Sequence, residues 1–408
     1  MLGALYLFRH RGTLYLEALF KRTDLFFFLY KFEHLSHSPL ESSRILVKLL
    51  NFQLFHYLIP LSPTPGEKSE TSRYRIPDNR TINSMTKKII LDTDPGIDDV
   101  MAILFAEAHP EIELKAITTI YGNVTIEGAT HNALYLKQKY QLQADVAQGA
   151  SKPIVRPPVG PTVVVHGESG FGDVEVPAEV EGEADARPAY QYIIDAVKAE
   201  PKEITLVAIG PLTNLALALQ AEPEIVNLVK EVVIMGGAFG VNDHRGNVTP
   251  YAEANIHDDP HAADIVFSAS WPVVIIGLDV TEQSFFTGDY LDKLRVDAGE
   301  VGQFIWDVSR FYLKFYKEKV GLDACHVHDP SAIAYVIEPE LFTLREGPVR
   351  VVTDGPAEGM TIQKFDGRTY LHDEWEKHTP QRVGVAVKDA ELLEIYRQSI
   401  IDYGRKMS

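Results

Sequence analysis

Leu91-Asp92-Thr93-Asp94-Pro95-Gly96-Ile97-Asp98-Asp99 brings four carboxylates into eight residues, directly behind the apolar run Ile89–Leu91. A short apolar run closed by a Pro-Gly turn signal reads as a buried strand. From Asp98 to Ala108 the pattern becomes helical, so the acidic turn joins a strand to a helix. In an open α/β sheet the crevice at the carboxyl ends of the strands is where ligands bind. Carboxylates crowded there repel one another, and a hard cation relieves that repulsion. Donors that are all oxygen select Ca²⁺ or Mg²⁺ over zinc. Asp98 and Asp99 can also cap the helix and complement its dipole, but capping accounts for only one or two of the four.

The same alternation continues outward from this turn. Apolar runs at Leu114–Ile120, Ile204–Ile209, Val232–Met235 and Val273–Leu278 are separated by helical stretches such as Ala129–Tyr140, Tyr190–Lys198 and Leu212–Leu219. Near-continuous apolar strands between amphipathic helices predict a mostly parallel sheet covered on both faces, one α/β domain over 85–408. Several of these runs end in polar or glycine-rich turns: Tyr121-Gly122-Asn123, Gly210-Pro211-Leu212-Thr213-Asn214 and Gly236-Gly237-Ala238-Phe239-Gly240. Together they predict one composite pocket. The 236–240 cluster lacks the G-x-G-x-x-G spacing and the following acid of a dinucleotide site. Asp92-x-Asp94 is likewise not the motif of haloacid-dehalogenase-type phosphatases, because Gly96 stands where Thr or Val is wanted.

Composition narrows the classes further. The 408 residues carry a formal charge of −18, which excludes the basic footprint of non-specific nucleic-acid binding. Cys325 is the one cysteine, so no intrachain disulfide or all-cysteine metal cluster exists, in keeping with a cytoplasmic location. Residues 1–84 differ from the rest: 11 basic against 7 acidic side chains make them +4, and leave −22 on the remainder. Arg9, Arg11, Lys21, Arg22 and Lys31 interrupt any signal-peptide core, and Lys48, Asn51 and Pro60 spoil Ile45–Leu61 as a membrane span. Residues 1–84 are expected to be a poorly ordered extension or upstream sequence, with Met85 as a plausible start and no membrane partner.

Two more segments carry chemistry. Gly246-Asn247-Val248-Thr249-Pro250-Tyr251-Ala252-Glu253-Ala254-Asn255 offers polar groups spaced to bind several hydroxyls. Cys325-His326-Val327-His328-Asp329-Pro330 sets a histidine beside an aspartate, a proton donor next to a carboxylate suited to a metal. Zinc would need a further nitrogen or sulfur ligand, for which Cys325 is the one candidate sulfur.

With these motifs in order over 87–408, including His166-Gly167-Glu168-Ser169-Gly170 and Met235-Gly236-Gly237, the chain resembles the inosine–uridine-preferring nucleoside hydrolases. The resemblance implies a Rossmann-like open sheet and one Ca²⁺ held by Asp94, Asp99, Asp329 and the carbonyl of Ile209. It implies ribose contacts from Asp98, Asn123, Asn247, Glu253 and Asn255, with His166 and Met235 beside the base. It implies hydrolysis of purine or pyrimidine ribonucleosides to ribose and base, with Asp94 as the base for water and His328 serving the leaving group, in a homodimer or homotetramer. Ala254 departs from the aromatic often found between the Glu and Asn of the ribose run. Residues 1–84 have no counterpart in the family.

Two rivals define the tests. A non-catalytic ribose- or nucleoside-binding protein would need neither Asp94 as base nor His328 as acid. A metal-dependent phosphatase would want a basic clamp, and Arg245 is the nearest cation to the Asn247 run. Base preference is expected to depend on residues around Phe311–Leu322, with Tyr312, Tyr316 and His326 as candidate contacts.

Overall fold

The computed structural model describes residues 86–372 and 374–408, and of the N-terminal segment only the backbone of three strands. Those strands, Leu2–His10, Thr13–Phe20 and Tyr30–Phe32, form an antiparallel sheet in a unit of their own. No strand period was legible there because Leu5-Tyr6-Leu7-Phe8 and Leu14-Tyr15-Leu16 are apolar on consecutive residues. The remaining expectations for 1–84 lie outside the described residues.

The second unit is an eight-stranded sheet. Its elements run β1 (Lys87–Thr93), α1 (Ile97–Ala108), β2 (Ile112–Thr119), α2 (Ile126–Tyr140), β3 (Asp145–Gln148), α3 (Ala189–Ala199), β4 (Ile204–Ala208), α4 (Thr213–Ala221), β5 (Glu231–Met235), α5 (Pro260–Ser268) and β6 (Val273–Ile276). They continue with α6 (Gly299–Phe315), α7 (Asp329–Ile337), β7 (Phe342–Gly347), β8 (Gln381–Val387) and α8 (Asp389–Met407). The spatial order is β7-β8-β6-β5-β4-β1-β2-β3, parallel throughout except for the β7–β8 pair. This is the expected mostly parallel α/β sheet.

Strand alternation explains why both faces are covered. On β1, Ile89 and Leu91 enter one core with α1, α6, α7 and α8, while Ile90 enters the other with α3, α4 and α5. Each such fully buried Ile or Leu contributes about 1.5–3 kcal/mol relative to exposure. The chain leaves β1 for β2 and β3 on one side, then returns to β4 on the other. β1 and β4 therefore flank the point where the strand order reverses, and in open sheets the ligand crevice lies at the carboxyl ends of such strands. Asp92 pairs with Thr118 across β1–β2 and with Ala208 across β1–β4, which places Asp94 to Asp99 at that crevice.

Candidate active site

Four aspartates converge at the end of β1 and the start of α7: Asp94, Asp98, Asp99 and Asp329, none more than 7% exposed. Asp99, at the third position of α1, accepts from the Gly96 backbone N–H (2.9 Å) and Asn123 Nδ2 (2.9 Å) at one oxygen. Its other oxygen takes the Thr93 hydroxyl at 2.5 Å. Capping thus does occupy Asp99, as foreseen for part of the set. Asp94 accepts from the Asn123 backbone N–H at 2.6 Å, and Asp98 from the Tyr312 hydroxyl at 3.1 Å. Glycines make room for Asp94: a Cβ on Gly122 would lie 2.1 Å from one of its oxygens, and a Cβ on Gly210 would lie 2.4 Å from the other.

One oxygen each of Asp94 and Asp98 is buried without a hydrogen-bond partner. Carboxylate oxygens of Asp98, Asp99 and Asp329 lie within 4.8 Å of one another. Two full charges at that separation repel by about 3–4 kcal/mol at an effective dielectric constant of 20. Burial accordingly raises Asp98 and Asp99 to about 6. Asp94 and Asp329 are pushed well above the carboxylate range, by burial first and then by neighbouring aspartates. Buried, mutually repelling carboxylates with spare oxygens fit a hard cation. That trio includes Asp98, expected as a ribose contact. Asp94 bonds the Asn123 N–H through one oxygen and keeps the other spare. The Ile209 carbonyl accepts the Asn255 amide at 2.8 Å and retains a second lone pair.

Asp92, the first acid of the motif, points into the protein. It accepts from Thr118 Oγ1 (2.5 Å) and Asn214 Nδ2 (2.8 Å), and burial raises it to about 7. Asn214 also reaches the Thr119 carbonyl and accepts from the Ala150 N–H, so this pair bolts β1, β2 and the loop after β3 together.

On a second side of the crevice, the Glu253 carboxylate accepts from the backbone N–H groups of Gly237 (2.9 Å), Asn255 (2.9 Å) and Ile256 (3.2 Å). It caps the short helix Ala254–Asp258, and burial raises its pKa despite those bonds. Asn255 Nδ2 reaches the Met235 carbonyl (3.1 Å) and sulfur (3.6 Å). Asn247 is exposed and accepts from the Ala254 N–H at 3.1 Å. Asn123, half-buried, joins the set through Asp94 and Asp99.

The third side is aromatic and imidazole. His166 Nδ1 accepts from the Ile97 N–H at 3.1 Å, lies 3.9 Å from an Asp98 oxygen and faces the Tyr312 ring at 5.7 Å. Burial drops its pKa to about 4, so it is neutral. His328 bonds Thr281 Oγ1 through Nδ1 and the Tyr316 hydroxyl through Nε2, both at 2.8 Å. Burial holds its pKa well below the imidazole value. Tyr312 and Tyr316, on and just after α6, lie 3.5 Å apart at their oxygens. His326 packs on Tyr316 and Phe285, and the fully buried Cys325 stands behind it. Thr281 escaped the sequence reading. The run Val273–Leu278 is legible as a strand, but Thr281 follows it inside the mixed stretch Asp279-Val280-Thr281, which carries no glycine-rich or Asn turn like the other strand ends.

The structure therefore gathers Asp94, Asp98, Asp99, Asn123, His166, Ile209, Met235, Glu253, Asn255, His328 and Asp329 around one crevice, with Asn247 at its rim. Among the described residues no helix is long and apolar enough to cross a membrane. The family profile described as inosine-uridine preferring nucleoside hydrolase matches residues 89–394. The chain is 45% identical over 291 residues to an inosine-uridine preferring nucleoside hydrolase of Crithidia fasciculata, covering 69% of this chain and 89% of that one. It is 40% identical over 277 residues to a pyrimidine-specific ribonucleoside hydrolase of Escherichia coli, covering 68% and 87%. A solved purine-preferring ribonucleoside hydrolase from Gardnerella vaginalis superposes with a TM-score of 0.72 at 36% identity, covering 78% and 100%. The chain belongs to the inosine-uridine preferring nucleoside hydrolase family and is an N-glycosidic hydrolase.

Proposed function

We propose that the enzyme cleaves ribonucleosides to ribose and free base, with a calcium-type cation held by its buried carboxylates. The observation that carries this reading is the set of converging aspartates with unpartnered oxygens on Asp94 and Asp98, facing a neutral histidine–tyrosine wall. Asp94, Asp99, Asp329 and the Ile209 carbonyl are the proposed ligands, and the placement of Asp98 in the tight trio makes it a further candidate. When bound, the cation would supply an electrophile that holds the sugar diol and lowers the pKa of a water.

The protein's own groups divide the remaining work. Asp98, Asn123, Asn247, Glu253 and Asn255 hold ribose hydroxyls and turn binding energy toward the oxocarbenium-like sugar of the transition state. Asp94, with one oxygen free, takes the proton of the attacking water. His166 and Met235 flank the base. His328 has both nitrogens engaged, so its proton reaches the leaving base through the Tyr316 hydroxyl. The tilted His166–Tyr312 ring pair supports a flat apolar slot for a nucleobase, and Ala254 puts no aromatic between Glu253 and Asn255. The lone, buried Cys325 supports a reducing, cytoplasmic setting.

Incubation with inosine, uridine, cytidine and adenosine tests the reading directly. Ribose and free base should appear in equal amounts from at least one of them. Tight binding of a nucleoside with no ribose released would favour the non-catalytic binding protein.

A further inference from the structure

A carboxylate can only accept, so the single proton of the Tyr312 hydroxyl goes to Asp98. Tyr316 lies between His328 Nε2 at 2.8 Å and the Tyr312 oxygen at a long 3.5 Å. The fully buried Thr281 hydroxyl decides between the two tautomers: with N–H on Nδ1 its proton would meet no acceptor among the described residues, whereas with N–H on Nε2 the Tyr316 proton still faces the Tyr312 oxygen. In the neutral ring Nδ1 is left as a bare lone pair, and the group facing it at 2.8 Å is the Thr281 hydroxyl.

We propose that Thr281 is a positioning residue that donates to His328 Nδ1 and fixes the imidazole as its Nε2–H tautomer, aimed at Tyr316. The donors then align from Thr281 through His328 to Tyr316, the hydroxyl that passes the proton on to the leaving base. The scaffold holds Thr281 for this task. Thr281 is fully buried in the turn Leu278–Thr281, with its backbone N–H on the Gly277 carbonyl at 3.1 Å. The neighbouring Asp279 carboxylate accepts from the N–H groups of Phe239 (2.9 Å) and Val241 (2.6 Å), which ties the turn to the loop beyond β5. The hydroxyl is thus fixed relative to the ring rather than free to follow it.

The tautomer is read in the full chain by ¹⁵N–¹H correlation of labelled histidine rings, with His328→Asn identifying the His328 signals. The wild type should show a protonated Nε2 and an unprotonated Nδ1. In Thr281→Val that signature should be lost or averaged, and Thr281→Ser should restore it. The kinetic part rests on the nucleoside-hydrolase reading: Thr281→Val should lower kcat on inosine by about tenfold to a hundredfold with KM little changed. A riboside with an activated leaving group, such as nitrophenyl riboside, should be largely spared, and Thr281→Ser should recover inosine turnover. A protonated Nδ1 in the wild type, or an unchanged His328 signature in Thr281→Val, would overturn the proposal. Equal losses on both substrates would overturn it too, because a purely structural role does not distinguish leaving groups. A wild type inactive on every riboside would overturn the hydrolase reading alone, since the tautomer is read without substrate.

Discussion

Asp94 occupies a slot that no side chain at 122 or 210 would permit, with one oxygen on the Asn123 N–H and the other free. Asp94→Asn keeps the volume and can keep the Asn123 bond, but an amide cannot take a proton from water. The variant should still fold and lose kcat by a factor of about 10² or more. Calcium content is to be measured in the same sample. Retained metal with near-normal kcat would assign the base to another residue. At this scale the sequence told much, because acid type and spacing after a strand are local properties. It did not separate Asp92, which bolts strands together through Thr118 and Asn214, from its neighbours that face the crevice. The distinction is the two-residue alternation of a strand continued into a turn, and the turn's geometry decides where that alternation stops.

Among the elements, the short helix Ala254–Asp258 shows how one side chain serves local structure and site together. Five residues cannot sustain a helix alone, and Glu253 satisfies the N–H groups of Asn255 and Ile256 while also holding Gly237 after β5. Glu253→Ala should destabilise the protein by about 0.5–2 kcal/mol, the usual worth of a lost N-cap, and raise KM for ribosides. Thermal unfolding and steady-state kinetics check this together; an unchanged melting temperature would mean the cap is replaced by water at no cost. The central strands were legible as unbroken apolar runs, and α1 to α4 as the longer helical stretches between them. β3, only four residues long and half exposed, gave too short a run, and the antiparallel pair β7–β8 closes the edge through partners far apart in sequence. Thr281 and His328, 47 positions apart, meet only because β6 and the strand Ala324–His326 deliver them to one place.

In the molecule as a whole, the sheet order reverses between β1 and β4, and that reversal gives the chain its crevice. Family membership agrees with it, since the profile match spans residues 89–394 and so contains every strand of the sheet apart from the first two residues of β1. Without a cation, burial works against ionisation of the site aspartates and raises Asp98 and Asp99 to about 6, and their oxygens and those of Asp329 lie within 4.8 Å of one another. With one, they become ligands, and binding stabilises the fold by mass action. The most direct measurement is metal analysis of the full chain before and after exhaustive chelation, with kcat followed on the same samples and again after calcium is returned. The result predicted is about one equivalent of Ca²⁺ removed, turnover abolished, and both restored together. Full turnover in demonstrably metal-free protein would contradict it.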